Sequence, residues 1–439
     1  MRGGDMSGRQ GAPLTPSAPS PSAGLTRRGA VRALGLFAFG ALAGCGSRRE
    51  DAPEAAASPD AAATADLSGS AEAAAPTTEA AQAASASPVD AVLGRMTIEQ
   101  KVAQLFFVTP EGLTGVGQAT RAASRTARAL GEIPVGGLVY FSKNIAGAHQ
   151  LRSLLADSVE LSRAAGAGVA AFTGVDEEGG PLVARVANSG HFDVRKFPNM
   201  AAIGAWGDAS RAWDVGSTIG SYLRDIGFTV DFAPDADVLT NPRNTAIGAR
   251  SFGSDPAIVS SMVAAEVSAM LETGVLPCAK HFPGHGDTAA DSHTGEAVSE
   301  RTLEQLEACE YEPFRAAIGA GVPLVMVGHI KTPNAAADGL PASLSPTQIR
   351  QTLREELGFE GVIVSDSFGM GAITQLYDSA AAAVMFLEAG GDMVLMPEDL
   401  RQAYEGVLAA VHSGELDEAR IDESVRRVLV AKQRVGLLG

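Results

Sequence analysis

The chain reads as an α/β protein of the (β/α)8 barrel class, and three observations predict it. Eight short apolar runs alternate with longer amphipathic stretches between residue 89 and residue 439. Residues able to do chemistry stand at the C-terminal ends of most of those runs, as on the catalytic face of a barrel. No Gly-x-Gly-x-x-Gly follows the first run, which argues against the alternative, a doubly wound open sheet.

Residues 1–45 read as an export signal. Residues 1–25 are polar and rich in Pro, Ser and Gly, and Met6 is an alternative start. Thr26-Arg27-Arg28 and Arg32 precede an apolar run over 33–43 that ends in Leu42-Ala43-Gly44-Cys45. A basic flank, a short apolar core and small residues before a cleavage point are the parts of a secretory signal. The run is too short to span a bilayer, and the paired arginines point to export of a folded protein. Leu-Ala-Gly-Cys resembles a bacterial lipobox, which would make Cys45 the lipidated first residue of the mature chain. The alternative is an ordinary signal peptide with an incidental cysteine. Residues 46–88 are almost entirely Ala, Ser, Pro, Thr, Asp and Glu without an apolar stripe, the composition of a disordered tether.

The folded domain is expected over 89–439. Its strands are expected within residues 102–108, 137–141, 169–175, 229–233, 276–279, 324–327, 361–365 and 393–396. Helical patterns fill most of the intervals, for example 210–226, 257–273, 301–320 and 380–389. A basic amphipathic helix over 421–438 is positioned to close the barrel.

Composition excludes some partners. The net charge of −17 disfavours nucleic acid and anionic membrane surfaces. Three scattered cysteines make no disulfide framework; Cys278 lies in an apolar run and Cys309 in a helical pattern.

The candidate site centres on residues 280–295, which hold three of the seven histidines (His281, His285, His293) with Asp287 and Asp291. Reactive side chains on a Gly-containing loop at a strand's end combine a rigid base with a tip that can move. Asp176, Asp231, Asp235, His329 and Asp366 follow or end other runs. Asp235 or Asp237 can also bond loop backbone, and Asp231 can form a salt bridge inside the barrel. Asp366, in Val362-Ile-Val-Ser-Asp-Ser-Phe-Gly-Met370, is a carboxylate fixed by a stiff strand, which suits a nucleophile. Asp291 and His293 are two apart in an extended loop, so both point to one side. The aspartate can hold the imidazole's tautomer and raise its basicity, making an acid/base pair. A fixed carboxylate plus an acid/base fits retaining glycoside cleavage, with histidine as the acid in place of the usual second carboxylate.

These residues resemble glycoside hydrolase family 3, the branch of β-N-acetylglucosaminidases, over about residues 90–439. The resemblance is carried by Asp176-Glu-Glu-Gly-Gly180, Asn241-Pro242, Ile247-Gly-Ala-Arg250-Ser-Phe-Gly253, Lys280-His-Phe-Pro-Gly-His-Gly-Asp-Thr288, Asp291-Ser-His293 and Ser365-Asp366. The Asp-Ser-His element separates this branch from the family's β-glucosidases. The resemblance implies that Asp366 is the nucleophile and that His293, paired with Asp291, is the acid/base. It implies that Asp176, Arg185, Arg250, Lys280 and His281 bind the hydroxyls of N-acetylglucosamine, with no metal or organic cofactor. The family spaces its Asp and Arg by eight residues, whereas Arg185 stands nine after Asp176; a bulge can absorb the extra residue. Lys280 and His281 are adjacent and would face opposite sides of a regular strand, so the strand must end or kink there, and Pro283 favours a kink.

Two enzymatic alternatives and one non-enzymatic one compete. A neutral imidazole acid/base would not repel phosphate, which allows a phosphorylase. His281, His285, His293 and His329 allow a zinc hydrolase in principle, but Pro283-Gly284 between the first two prevents a helical i,i+4 pair. A lipoprotein that captures cell-wall sugar without cleaving it would carry the same pocket. The expected protein is an extracytoplasmic, lipid-anchored β-N-acetylhexosaminidase acting on peptidoglycan fragments or chitooligosaccharides.

Overall fold

Eight parallel strands form the centre of the computed structural model, which describes residues 87–289 and 295–438. They are β1 (Phe106–Val108), β2 (Gly137–Tyr140), β3 (Phe172–Val175), β4 (Val230–Asp231), β5 (Leu276–Phe282), β6 (Leu324–Val327), β7 (Val362–Ser365) and β8 (Val394–Leu395). Neighbours pair in the order β7-β6-β5-β4-β3-β2-β1-β8, all parallel. The ring closes through a bridge from Val364 to Met393, with Ser365 N donating to Met393 O at 3.0 Å. Seven of the expected apolar runs contain one of these strands whole, and the eighth, 276–279, is only the first part of β5, which runs on to Phe282. Strands buried on both faces read as continuous apolar runs, which is why they are visible in the sequence.

Three expectations need correcting. The front of the first run is helical (Ile98–Ala103), because Thr97 and Gln100 form a reciprocal capping box that starts a helix there. The single helix expected over 301–320 is two, Leu303–Glu307 and Tyr311–Gly319. Pro313 lacks an N–H and fits only the first turn, so the helix restarts just before it. The last helix spans Glu418–Arg434 and does not close the ring; the β7–β8 bridge does. Instead it packs on Pro88–Leu93 and Ile98–Ala103. Its Lys432 reaches beneath the barrel, donating to Ala170 O at 2.7 Å and Gln104 Oε1 at 2.6 Å.

Aromatic rings fill the barrel interior. Phe107 stacks on Phe172 with centroids 6.1 Å apart and meets Phe232 edge-on at 5.2 Å. Gly137 and Gly174 make room, since a Cβ on either would lie 2.6 or 2.7 Å from the Phe107 ring. Outside, helix Ala209–Ile226 buries Ala212, Val215, Ile219, Leu223 and Ile226 and is capped by Asp208. Gly216 on this helix lets Pro256–Thr273 approach so closely that a Cβ would sit 2.6 Å from Glu266 O. No helix among the described residues is long and apolar enough to cross a membrane.

Candidate active site

The C-terminal ends of the strands converge on a cavity of about 210 Å³. Asp176, Arg185, Arg250, Lys280, His281 and Asp366 all line it, together with Glu178, Phe141, Met326, Met370 and Met396. A larger cavity of about 420 Å³ opens beside the N-terminal ends of β6 and β7, lined by Ile318, Phe359, Arg427 and Val430, so size alone does not mark the site. Met396, which follows β8, holds a left-handed φ of 45°, a conformation that costs a non-glycine residue about 1 kcal/mol or more.

Asp176 follows β3 and opens a short hairpin in which Glu177–Gly179 pairs antiparallel with Val183–Ala184. The register shifts between Glu177 and Gly179, ahead of the 180–185 stretch that carries the extra residue. Arg185 follows directly. Its guanidinium lies 5.6 Å from the Phe141 ring centroid, and its buried Nε has no hydrogen-bond partner among the described residues.

β5 carries Lys280 and His281 through a register shift between Ala279 and Phe282, and the peptide joining them is cis. Both side chains face the cavity. Lys280 Nζ is held by Asp176 Oδ1 at 2.8 Å and Glu178 Oε1 at 2.6 Å. Glu178 also takes Arg250 in a fork, Nε to Oε2 at 2.8 Å and Nη2 to Oε1 at 2.7 Å. Burial opposes the charge on Glu178, but Lys280 and Arg250 outweigh it and hold the carboxyl well below its ordinary value. Burial likewise opposes the charge on Lys280, and Asp176 and Glu178 outweigh it.

His281 donates Nδ1–H to Asp237 Oδ2 at 2.7 Å, which leaves Nε2 turned toward Arg250 Nη2, 3.5 Å away. Asp237 Oδ1 also accepts the backbone N–H of His281 and of His285. Burial works against the Asp237 charge, but His281 overcomes it and the carboxyl sits at about 2. Burial and the Asp237 charge together push Asp235 well above the usual carboxylate range. The two carboxyls are thus split as a close like-charged pair should be. Asp235, Asp237 and His281 could together offer three ligand atoms to a metal ion, all within 4.8 Å of one another.

Asp366 follows β7. Its Oδ1 accepts the Ser367 N–H at 2.7 Å, and its own N–H donates to Val327 O at 2.9 Å. Burial raises its carboxyl, but His329, His281, the Ser367 N–H and Lys280 lower it more, so it lies below the ordinary value and is ionised at neutral pH. His329 donates Nε2–H to Ser367 O at 2.9 Å, and its Nδ1 lies 2.7 Å from Ser343 Oγ. His285 Nδ1 lies 2.7 Å from Thr288 Oγ1. Asp287 Oδ2 accepts the Ser299 hydroxyl at 2.9 Å, and Arg301 lies 3.5 Å from Asp287 Oδ1 and 3.0 Å from Glu310 Oε1.

Asp291 and His293 lie outside the described residues, as does Cys45. Asp231 makes no salt bridge: its Oδ1 accepts Glu177 N–H at 2.9 Å, its Oδ2 has no partner among the described residues, and burial pushes its carboxyl well above the ordinary value. Sequence reasoning gives Glu178 no role of its own and reads Asp237 only as a bond to loop backbone. Each stands two residues after an aspartate, Asp176 and Asp235, in extended chain. The spacing that pairs Asp291 with His293 also puts each of these on its neighbour's side.

Residues 97–431 match the Glycosyl hydrolase family 3 N terminal domain. Beta-hexosaminidase A of Pseudoalteromonas piscicida is 32% identical over 325 residues, covering 69% of this chain and 54% of that protein. Beta-hexosaminidase LpqI of Mycobacterium tuberculosis is 35% identical over 266 residues, covering 59% of this chain and 67% of that protein. The solved family 3 β-N-acetylglucosaminidase of Paenibacillus sp. superposes with a TM-score of 0.72 at 36% identity, covering 78% of this chain and 63% of that one. The chain therefore spans about half of the first relative and under two thirds of the Paenibacillus protein. With the match running through nearly the whole barrel and its cavity, the chain belongs to glycoside hydrolase family 3.

Proposed function

We propose that the chain is a retaining, exo-acting β-N-acetylglucosaminidase that works without a metal or organic cofactor. The observation that carries this reading is an ionised carboxylate, Asp366, fixed at the end of β7 in a cavity it shares with Lys280, His281, Arg250, Arg185 and Asp176. At about 210 Å³ the cavity is smaller than the ~300–1,000 Å³ of sites for drug-sized ligands, a size that suits a single terminal sugar. The printed names of the relatives, beta-hexosaminidase and β-N-acetylglucosaminidase, point the same way.

Asp366 attacks the anomeric carbon while His293, held by Asp291, protonates the leaving oxygen. His293 then takes a proton from water, which releases the sugar with its configuration retained. Asp176, Arg185, Arg250, Lys280 and His281 hold the hydroxyls. Residues 1–45 direct export, Cys45 carries a lipid, and 46–88 form a tether, so the enzyme acts outside the cytoplasm on peptidoglycan fragments or chitooligosaccharides.

The test is hydrolysis of an activated aryl β-N-acetylglucosaminide beside the matching β-glucoside, each with and without phosphate. The reading expects cleavage of the N-acetyl sugar in preference, with or without phosphate. A rate that rises with phosphate and yields sugar 1-phosphate makes it a phosphorylase. Cleavage of neither substrate, with N-acetylglucosamine still bound, makes it a sugar-binding protein. His293→Ala should damage substrates with poor leaving groups far more than aryl glycosides; equal losses would remove His293 as the acid.

A further inference from the structure

We infer that Glu177 is a positioning residue whose buried carboxylate holds the chain just beyond Arg185 and so aims the guanidinium into the cavity. This rests on the proposed contact between Arg185 and the sugar.

Glu177 lies between Asp176 and Glu178 in extended chain, so its side chain leaves on the opposite side, away from Lys280. It is fully buried. Its Oε2 accepts the Val186 N–H at 2.7 Å, and its Oε1 accepts the Ala187 N–H at 2.9 Å and the Tyr222 hydroxyl at 2.7 Å. Its own N–H donates to Asp231 Oδ1 at 2.9 Å. One residue thus ties the end of β4, the helix Ala209–Ile226 and the two residues after Arg185. Other ties on that stretch are the burial of Val186 in the core, Asn188 Nδ2 donating to Gly180 O at 3.2 Å and Ser189 N–H donating to Val186 O at 3.1 Å, and none of them holds Arg185 itself. The hairpin ladder is short and irregular, Arg185 N meets Asp176 O only at 3.4 Å, and Arg185 Nε has no partner among the described residues. A buried carboxylate with no cation bonded to it is costly, and here three donors satisfy it.

The test uses the full chain with Glu177→Gln, Arg185→Ala and the double variant. The readouts are KM and kcat for an aryl β-N-acetylglucosaminide, and N-acetylglucosamine affinity by calorimetry. Glutamine keeps the shape but sets an amide donor against a backbone N–H. Losing a charge-assisted hydrogen bond should raise KM, and weaken sugar binding, by about ten-fold with a smaller change in kcat. In the Arg185→Ala background the same change should add less than about two-fold, because the two act as one unit. If Glu177→Gln does not fold, Tyr222→Phe carries the same cycle, with a rise of about two-fold that vanishes without Arg185. Full additivity, or unchanged KM and affinity in a folded variant, overturns the inference and leaves the sugar contact of Arg185 standing. Unchanged KM and affinity in Arg185→Ala alone removes that contact, and the inference with it.

Discussion

At the top of the barrel Glu178 takes Arg250 in a fork and Lys280 at 2.6 Å. At the bottom, just before β8, Asp392 takes Arg354, Arg427 at 3.1 Å, the Ser424 hydroxyl at 2.6 Å and the Ile363 N–H at 2.8 Å. Both carboxylates are buried among cations, yet their partners face different ways. Arg354 Nη1 donates to both Phe359 O and Gly361 O, and Arg427 turns to Glu423. These bonds lock chain ends together. Lys280 and Arg250 line a cavity, beside Arg185 Nε, which has no hydrogen-bond partner among the described residues. Arg427 also borders the larger cavity, so open space alone does not separate the two clusters; the upper cations share the smaller cavity with Asp366, at the strand ends where a barrel carries its chemistry.

Substitutions can break this comparison at several strengths. Asp366→Ala should reduce turnover by roughly a thousand-fold or more while leaving unfolding unchanged, since it removes the proposed attacking group; steady-state rates and thermal melts read both. Glu178→Gln leaves two cations short of a buried partner. It should cost about 3 kcal/mol in substrate recognition or stability, equivalent to about a hundred-fold in kcat/KM if recognition bears it all. Asp392→Asn should lower stability by about 3 kcal/mol in denaturant titrations while KM of the folded protein stays unchanged. A rise in KM there would blur the division between the two ends.

A smaller effect concerns a buried carboxyl with no hydrogen-bond partner among the described residues. Glu266, on helix Pro256–Thr273, has neither oxygen bonded among the described residues, and burial pushes it up to about 8. Its folded value exceeds its unfolded value near 4.3. The native state therefore holds the extra proton between the two, and this contribution is greatest below about pH 4 and is lost as pH rises toward 8. Glu266→Gln should stabilise the protein at pH 8 by about 2 kcal/mol more than at pH 6. A pH-independent gain in thermal melts would mean that Glu266 is already ionised when folded.

The strands were legible because buried parallel strands leave continuous apolar runs, and Asp176, Lys280, His281 and Asp366 because they follow those runs at one end; Arg185 and Arg250 follow no run and came only from the family resemblance. What escaped depends on partners far away in the chain. Glu178 finds Arg250 and Lys280 after 72 and 102 positions, and nothing local to Asp176-Glu-Glu-Gly-Gly180 names them. Asp237 looked like a loop cap because it is one; it binds two backbone N–H groups and the His281 ring together. Asp231 looked like half of a salt bridge, yet the group nearest its Oδ1 is a backbone donor on the Glu177 hairpin. Inside the first run, the capping box at Thr97 outweighed apolar continuity, so local hydrogen bonding set the boundary there.

The central claim is that Asp366 forms a covalent bond to the sugar. The direct measurement is to trap that intermediate with a fluorinated aryl N-acetylglucosaminide that forms it faster than water releases it, then to locate the added mass by peptide sequencing. The account predicts one N-acetylglucosaminyl-derived adduct, on Asp366, which is absent from Asp366→Ala. An adduct on another carboxylate, or inversion at the anomeric carbon with no adduct, would contradict it.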